Sequence, residues 1–303
     1  MNTKHKIGTV INFCSNEIRF FKDCIEQAKQ FSDNLFVVIA DHFFDGNKED
    51  FKVLENLFSS FPDITFIIYP FLKDGIKASF YKEEDKDHLW HSISRYIGYC
   101  FLDKKIEYVL FLDIDEIVET IPFIKWLDTF FYKKYSVMTL ANYWYFRASC
   151  YRAKFLEDSP VFIKKKSLTK KMLLHKDERL SLFSKTKGKK IKKVLGLQNM
   201  PMIHHYSWVR SKDEMLKKVS SWGHKKDRDW TRLVKEEFSK PFSGKDFIHG
   251  YEFETVKAFA LLEEANYLKK RKNENIIRLN KKQFYRLIKK NSFNSLFFKK
   301  DLI

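Results

Sequence analysis

The chain has 303 residues, room for one large α/β domain with an extension or for two small domains, and its 44% hydrophobic content excludes general disorder. A formal net charge of +18 calls for an acidic partner: nucleic acid, an anionic membrane surface or a phosphorylated substrate. Cys14, Cys24, Cys100 and Cys150 show no C-x-x-C pairing, which predicts buried free thiols in a reducing compartment and leaves a zinc site unsupported. The stretch Met1–Cys14 has too short an apolar run for a signal peptide, and no run is long enough to span a bilayer. The expectation is a cytoplasmic protein, soluble or peripheral on the inner membrane face.

Ile7–Phe13 predicts a first strand. A helix follows, with Ser15 as N-cap, Glu17 in its positively polarised first turn, and Ile18, Phe21, Ile25 and Ala28 on its buried face. Leu35–Ala40 predicts a second strand that stops at Asp41. After it come a polar turn, Phe44-Asp45-Gly46-Asn47, and an amphipathic helix over roughly residues 48–60. Asp63–Tyr69 reads as a third strand. Asp85–Phe101 reads as a third helix with Leu89, Ile93, Ile97 and Cys100 inward, and Tyr108–Asp113 as a fourth strand. Strands alternating with helices predict an α/β fold, a mostly parallel sheet with helices on both faces. Right-handed crossovers bring the strand ends to one edge, so Asp41, Asp113 and Asp115 should line one crevice.

Beyond Pro122 the pattern changes. Tyr135–Phe146 and Pro160–Lys164 predict further strands, and residues 164–193 form a strongly basic run. The apolar stretch Met200–Trp208 carries His204 and His205. Ser211-Lys212-Asp213-Glu214 is a capping box opening a helix continued by Met215, Val219 and Trp222. From about Tyr251 the chain reads as a mainly helical, increasingly basic extension, in which Phe284, Leu287, Ile288, Phe293, Leu296 and Phe297 among lysines have an interfacial look. Three parts are expected: residues 1–120, 121–250 in the same domain, and the extension 251–303.

The chemistry concentrates at Tyr108–Glu116, where a buried apolar strand runs into Asp113, Asp115 and Glu116. Unpaired buried carboxylates are costly, so the strand end needs solvent, cations or a metal. Asp113 and Asp115 are two apart and share a face on an extended chain, and hard oxygen ligands so placed suit Mg2+ or Mn2+ holding a diphosphate. The plain alternative is a pair of acids capping the next helix. No Walker loop or G-x-G-x-x-G turn is present, so a diphosphate must be neutralised by metal and lysines instead.

Four features in order resemble the GT-A glycosyltransferases, family-2-like enzymes in particular, over roughly residues 7–120. These are Cys14-Ser15-Asn16-Glu17 after the first strand, Asp41 ending the second, Arg95-Tyr96-Ile97-Gly98, and the DxD strand Phe111-Leu112-Asp113-Ile114-Asp115-Glu116. The usual proline after the first strand is absent, and Asp41-His42-Phe43-Phe44-Asp45-Gly46 replaces the family's Asp-Asp-Gly-Ser turn. The resemblance implies a GT-A fold with a donor half at 1–120 and an acceptor half at 121–250. It implies transfer of a sugar from a nucleoside diphosphate, most simply a UDP-sugar, to a surface glycan or glycolipid acceptor such as lipopolysaccharide.

Under that resemblance Asn16, Glu17, Asp41, Arg95 and Asp113 contact donor, and Asp113 and Asp115 hold Mn2+ or Mg2+. A downstream histidine joins the metal, His205 before His204, with His224 a weaker rival. Asp177 and Glu178 stand where the family's base falls; the alternative is two solvated salt-bridge partners in a basic run. The aromatic block Asn142-Tyr143-Trp144-Tyr145-Phe146-Arg147 serves either as an acceptor platform or as a core strand. The lysine-rich stretches suit solvent, a phosphate-rich acceptor or an anionic membrane. Nucleic acid is disfavoured because no binding motif accompanies the lysines. A sugar nucleotidyltransferase would need a glycine-rich basic loop that the chain lacks, and a non-catalytic basic binding protein would leave the DxD strand unexplained.

Overall fold

The computed structural model describes residues 5–43, 46–71, 86–221, 227–262, 267 and 273–289. Phe44, Asp45, Trp222, His224, Phe293, Leu296 and Phe297 lie outside them. The first half follows the expected succession. β1 (Ile7–Asn12) leads through a 3-10 turn, Ser15–Phe20, into α1 (Phe21–Ala28), then β2 (Asn34–Ala40), α2 (Phe51–Ser60), β3 (Thr65–Tyr69), α3 (Lys86–Phe101) and β4 (Tyr108–Asp113). Ser15 is not the cap of α1: it sits inside the turn, and its hydroxyl and amide bond to the buried Glu49 carboxylate. α2 starts later than residue 48 because Asp50 is its cap, accepting from Val53 N at 3.1 Å.

The second half departs from a simple reading. β5 (Glu116–Val118) and α4 (Thr120–Leu127) come first, and the single expected strand at 135–146 is two, β6 (Val137–Leu140) and β7 (Asn142–Phe146). They belong to different sheets and part at Ala141, whose amide bonds Val194 O at 2.9 Å. β8 (Tyr151–Glu157) and β9 (Val161–Lys164) follow, then α5 (Lys170–Leu173), α6 (Glu178–Ser184), β10 (Lys190–Val194), β11 (Ile203–Trp208), α7 (Lys212–Ser221) and α8 (Trp230–Glu237). The expected helical extension is corrected. Its described residues hold β12 (Phe253–Thr255), β13 (Ile276–Arg278) and one helix, α9 (Lys281–Lys289). Phe284 and Leu287 are buried in the core rather than interfacial, because α9 packs on the main sheet.

The main sheet has eight strands in the order β10-β6-β9-β4-β1-β2-β3-β13. All are parallel except β9, which runs against both β4 and β6. Side chains alternate across it. Ile7, Ile11, Val37, Ile39, Phe66 and Ile68 meet α1, α2 and α4 on one face, and Val10, Val38, Ile67, Val109 and Phe111 meet α3, α5, α6 and α9 on the other. The β1, β2 and β4 strands are therefore apolar on both faces. Gly98 lets α3 approach closely, since a Cβ there would lie 2.3 Å from Val10 Cγ1.

A second sheet, β12-β8-β7-β11-β5, packs on α7 and α8 through Trp144, Phe146, Trp208, Met215, Trp230 and Val234. The Asp113–Asp115 turn links β4 of the first sheet to β5 of the second. The four cysteines are free, and only Cys24 is fully buried.

Candidate functional site

The chain runs outward from β1 through β2 to β3 and returns on the far side of β1 as β4. The carboxyl ends of β1 and β4 are thus a topological switch point, where open α/β sheets bind ligands. Asn12 and Asp113 are register partners there, and Asn12 Nδ2 donates to Asp113 Oδ1 at 3.2 Å. A cleft of about 620 Å3 opens over this point, walled on the other side by Trp144 of β7, His205 and Trp208 of β11, Lys218 of α7 and the loop at Ile248 and His249.

Asp113 is heavily engaged. Arg95 Nη2 and Arg179 Nη2 each lie 3.1 Å from its carboxylate. Burial alone would raise its pKa, but the guanidiniums of Arg179 and Arg95 outweigh that and hold it well below the ordinary carboxylate range. Arg179 also donates to Glu116 Oε2 at 2.5 Å, and Glu116 accepts the Asp113 amide at 2.9 Å and the Ser159 hydroxyl at 2.7 Å. Glu116 is fully buried and acts as a brace under the turn.

Asp115 is placed differently. It is 3% exposed, and its Oδ1 lacks a hydrogen-bond partner. His205 Nε2 lies 3.6 Å from Oδ1, and Lys218 Nζ lies 3.8 Å from Oδ2. β5 and β11 create this meeting: their antiparallel register sets His205 opposite Glu116, and Tyr206 N donates to Asp115 O at 2.8 Å. Burial, then the Glu17 charge, raises the Asp115 pKa to about 6. Burial lowers that of His205, but the Glu157 carboxylate, 3.9 Å from its Nδ1, and the charge of Asp115 prevail and raise it to about 9.

Among the described residues no group of three or more His, Cys, Asp and Glu side chains forms a ready metal shell. The donor set at Asp115 and His205 nonetheless fits a hard divalent ion. A buried carboxylate oxygen and an imidazole face each other unbonded, and Mg2+ and Mn2+ commonly take one or two protein ligands, the rest coming from phosphate and water.

The other expected residues divide. Asn16 and Glu17 line the cleft; the Asn16 side-chain oxygen is buried without a hydrogen-bond partner, and Glu17 is bound by Arg210 at 2.7 Å and Lys218 at 3.2 Å. Burial would raise the Glu17 pKa, but Lys218 and Arg210 lower it. Glu178 lines the cleft and pairs with Arg95 at 2.9 Å, whereas Asp177 faces His175 at 3.4 Å and is not in the lining. Asp41 is not in the lining either: it accepts from Phe71 N at 2.6 Å and lies 2.7 Å from His42 Nδ1, leaving His42 and Phe43 to face the cleft. His204 points to the opposite side of β11 from His205, 2.8 Å from the Tyr145 hydroxyl and stacked on Phe259. Arg179, Arg210 and Lys218 were missed in the sequence because, in a chain this rich in cations, nothing local marks which of them reaches the cleft.

No protein-family model matches the sequence, and no curated protein matches it. Among solved structures the chain is similar to 4-diphosphocytidyl-2C-methyl-D-erythritol synthase from Anaerococcus prevotii, at 14% identity over 69% of this chain and 94% of that one, TM-score 0.36. It is similar to the glycosyltransferase GlyE of Streptococcus pneumoniae at 14% identity over 78% and 64% of the two chains, TM-score 0.35. It is also similar to glucosyl-3-phosphoglycerate synthase from Mycobacterium tuberculosis, at 12% identity over 85% and 89%, TM-score 0.36; that enzyme's structures hold UDP with Mg2+ or Mn2+. Scores this low leave any assignment to the chain's own geometry.

Proposed function

We propose that this chain is a GT-A-type, family-2-like glycosyltransferase that moves a sugar from a nucleoside diphosphate, most simply a UDP-sugar, to a glycan or glycolipid acceptor such as lipopolysaccharide. The observation that carries the reading is the Asp113–Asp115 turn at the β1/β4 switch point, with His205 delivered to Asp115 by β11. In this reading residues 1–120 receive the donor and 121–250 the acceptor.

Asp115 and His205 hold Mn2+ or Mg2+, which when bound offsets charge on the leaving diphosphate. Asp113, fixed by Arg95 and Arg179, orients the donor's ribose. Asn16 offers its unpartnered side-chain oxygen to a donor hydroxyl. Lys218 and Arg210, tethered by Glu17, add positive charge beside the phosphates. Of the two acids considered as proton acceptor, Glu178 reaches the cleft, and the role falls to it rather than to Asp177.

The test is calorimetric titration of UDP into the protein with Mn2+ and then with EDTA, repeated on Asp115→Ala. Binding that needs both Mn2+ and Asp115 supports the reading. Absence of UDP, GDP and CMP binding under every condition sinks it.

A further inference from the structure

The end of the main sheet opposite the cleft carries a different kind of surface. Strand register draws it together: Ile7 pairs with Tyr108, Tyr108 with Lys164, and Val137 with both Ile163 and Lys190. Ser136 N donates to Lys189 O at 2.7 Å, and Lys164 Nζ donates to Lys133 O at 2.9 Å. Consequently the loops before β4, β6 and β10 and the one after β9 lie side by side. They expose Lys105, Lys133, Lys134, Lys166, Lys187 and Lys189 along one rim. Nearby acids are engaged: Glu107 with Lys6 at 2.8 Å, Asp128 with His5 at 3.0 Å, and Asp103 with Asn34 at 3.1 Å.

At the same rim Phe130 is 37% exposed and holds a left-handed backbone, φ 54°, a conformation costly for a bulky side chain. Lysines lie over the neighbouring rings: Lys133 Nζ 4.6 Å from the Phe130 centroid, Lys134 5.7 Å from Phe131, and Lys189 5.0 Å from Tyr135. Ammonium groups held against aromatic rings on an exposed rim set positive charge beside apolar surface, a combination that suits the headgroup level of an anionic bilayer. Single-stranded nucleic acid instead wants open aromatic faces on which bases stack, and here the rings carry lysines.

We infer that this rim, centred on Phe130, Lys133, Lys134 and Lys189, docks the protein on an anionic lipid bilayer. The ring of Phe130 enters the headgroup boundary while the lysines meet the lipid charge. The β4 strand of six residues, about 20 Å long, separates the docking rim from the cleft, so docking leaves the cleft uncovered. This inference stands whether or not the cleft transfers sugar.

The experiment is flotation of the full chain with phosphatidylcholine vesicles that contain or lack phosphatidylglycerol, at about 0.1 M and about 0.5 M salt. Expected are binding only with phosphatidylglycerol, loss at high salt, an at least tenfold weaker partition for the Lys133→Glu/Lys134→Glu/Lys189→Glu variant, and a few-fold loss for Phe130→Ser. UDP titration of the same variants should match the native protein, which separates this inference from the cleft's chemistry. Absence of vesicle binding, equal binding to both vesicle types, unchanged binding of the lysine variant, or preference for poly(U) over vesicles overturns it.

Discussion

His205 Nε2 stands 3.6 Å from Asp115 Oδ1, across the strand pairing that sets His205 opposite Glu116. Two residues ninety apart in sequence thus form a single donor pair. Replacing His205 with Ala should weaken Mn2+-dependent UDP affinity about tenfold, ~1.4 kcal/mol, while leaving metal-free affinity unchanged. Parallel calorimetric titrations with Mn2+ and with EDTA check this.

Acidity gives a second prediction. In metal-free protein the folded-state pKa of His205 is raised from 6.5 to about 9, so its stabilisation is complete below its ordinary value and is lost as pH rises through about 9. Asp115, raised to about 6, acts in the same direction: its ionisation costs stability as pH rises through that value. With EDTA present, Tm should fall as pH is raised from neutrality past 9, and His205→Gln should flatten the alkaline part of that fall. An unchanged slope in the variant would place the titration elsewhere.

Arg179 bridges Asp113 and the fully buried Glu116. Its loss leaves the fully buried Glu116 without its cation, while Asp113 keeps Arg95, and Arg179→Met should cost about 3 kcal/mol in urea unfolding. Restoring a charge of different shape, as Arg179→Lys, should recover only part of this because the bidentate fork is lost.

Gly98 is the point where α3 presses against β1 and β2, with Val10 Cγ1 at 2.3 Å and Val38 Cγ2 at 3.0 Å from any added Cβ. Gly98→Ala should destabilise by about 1–3 kcal/mol through overpacking, despite the better helix propensity of alanine. Thermal unfolding of the two forms decides the sign.

The capping box at Ser211 is reciprocal: Glu214 N donates to the Ser211 hydroxyl at 3.3 Å, and Ser211 N to Glu214 Oε2 at 2.7 Å. Ser211→Ala should lose ~1 kcal/mol. Because Lys218 sits further along the same helix and reaches the cleft, UDP affinity should fall a few-fold with it.

The first four strands were legible because each is a short run buried on both faces and stopped by a turn. The later ones were not. Tyr135–Phe146 is apolar and aromatic throughout, and its division at Ala141 is set by pairing with Val194, fifty-three residues on, a contact no local pattern records. β13 spans three residues and exists only because β3 offers it an edge. At the site, Asp113, Asp115, His205 and Glu178 come to one cleft, while His204 is turned away by the alternation of a strand. That alternation was available from the sequence once Ile203–Trp208 was read as a strand. The arrival of Arg179 and Lys218 in the cleft was not, since it depends on which acids the fold brings near.

Both flanks of the main sheet are closed late. β10 covers one side and β13 the other, while β9, inserted against its neighbours' direction, fills the gap between β4 and β6. During synthesis β4 therefore waits for residues 161–164, and β3 waits for residues 276–278. Until then each shows an unpaired apolar edge. The nascent chain carries its stickiest surfaces longest, and a chain shortened ahead of β13 would be prone to associate edge to edge however sound its core.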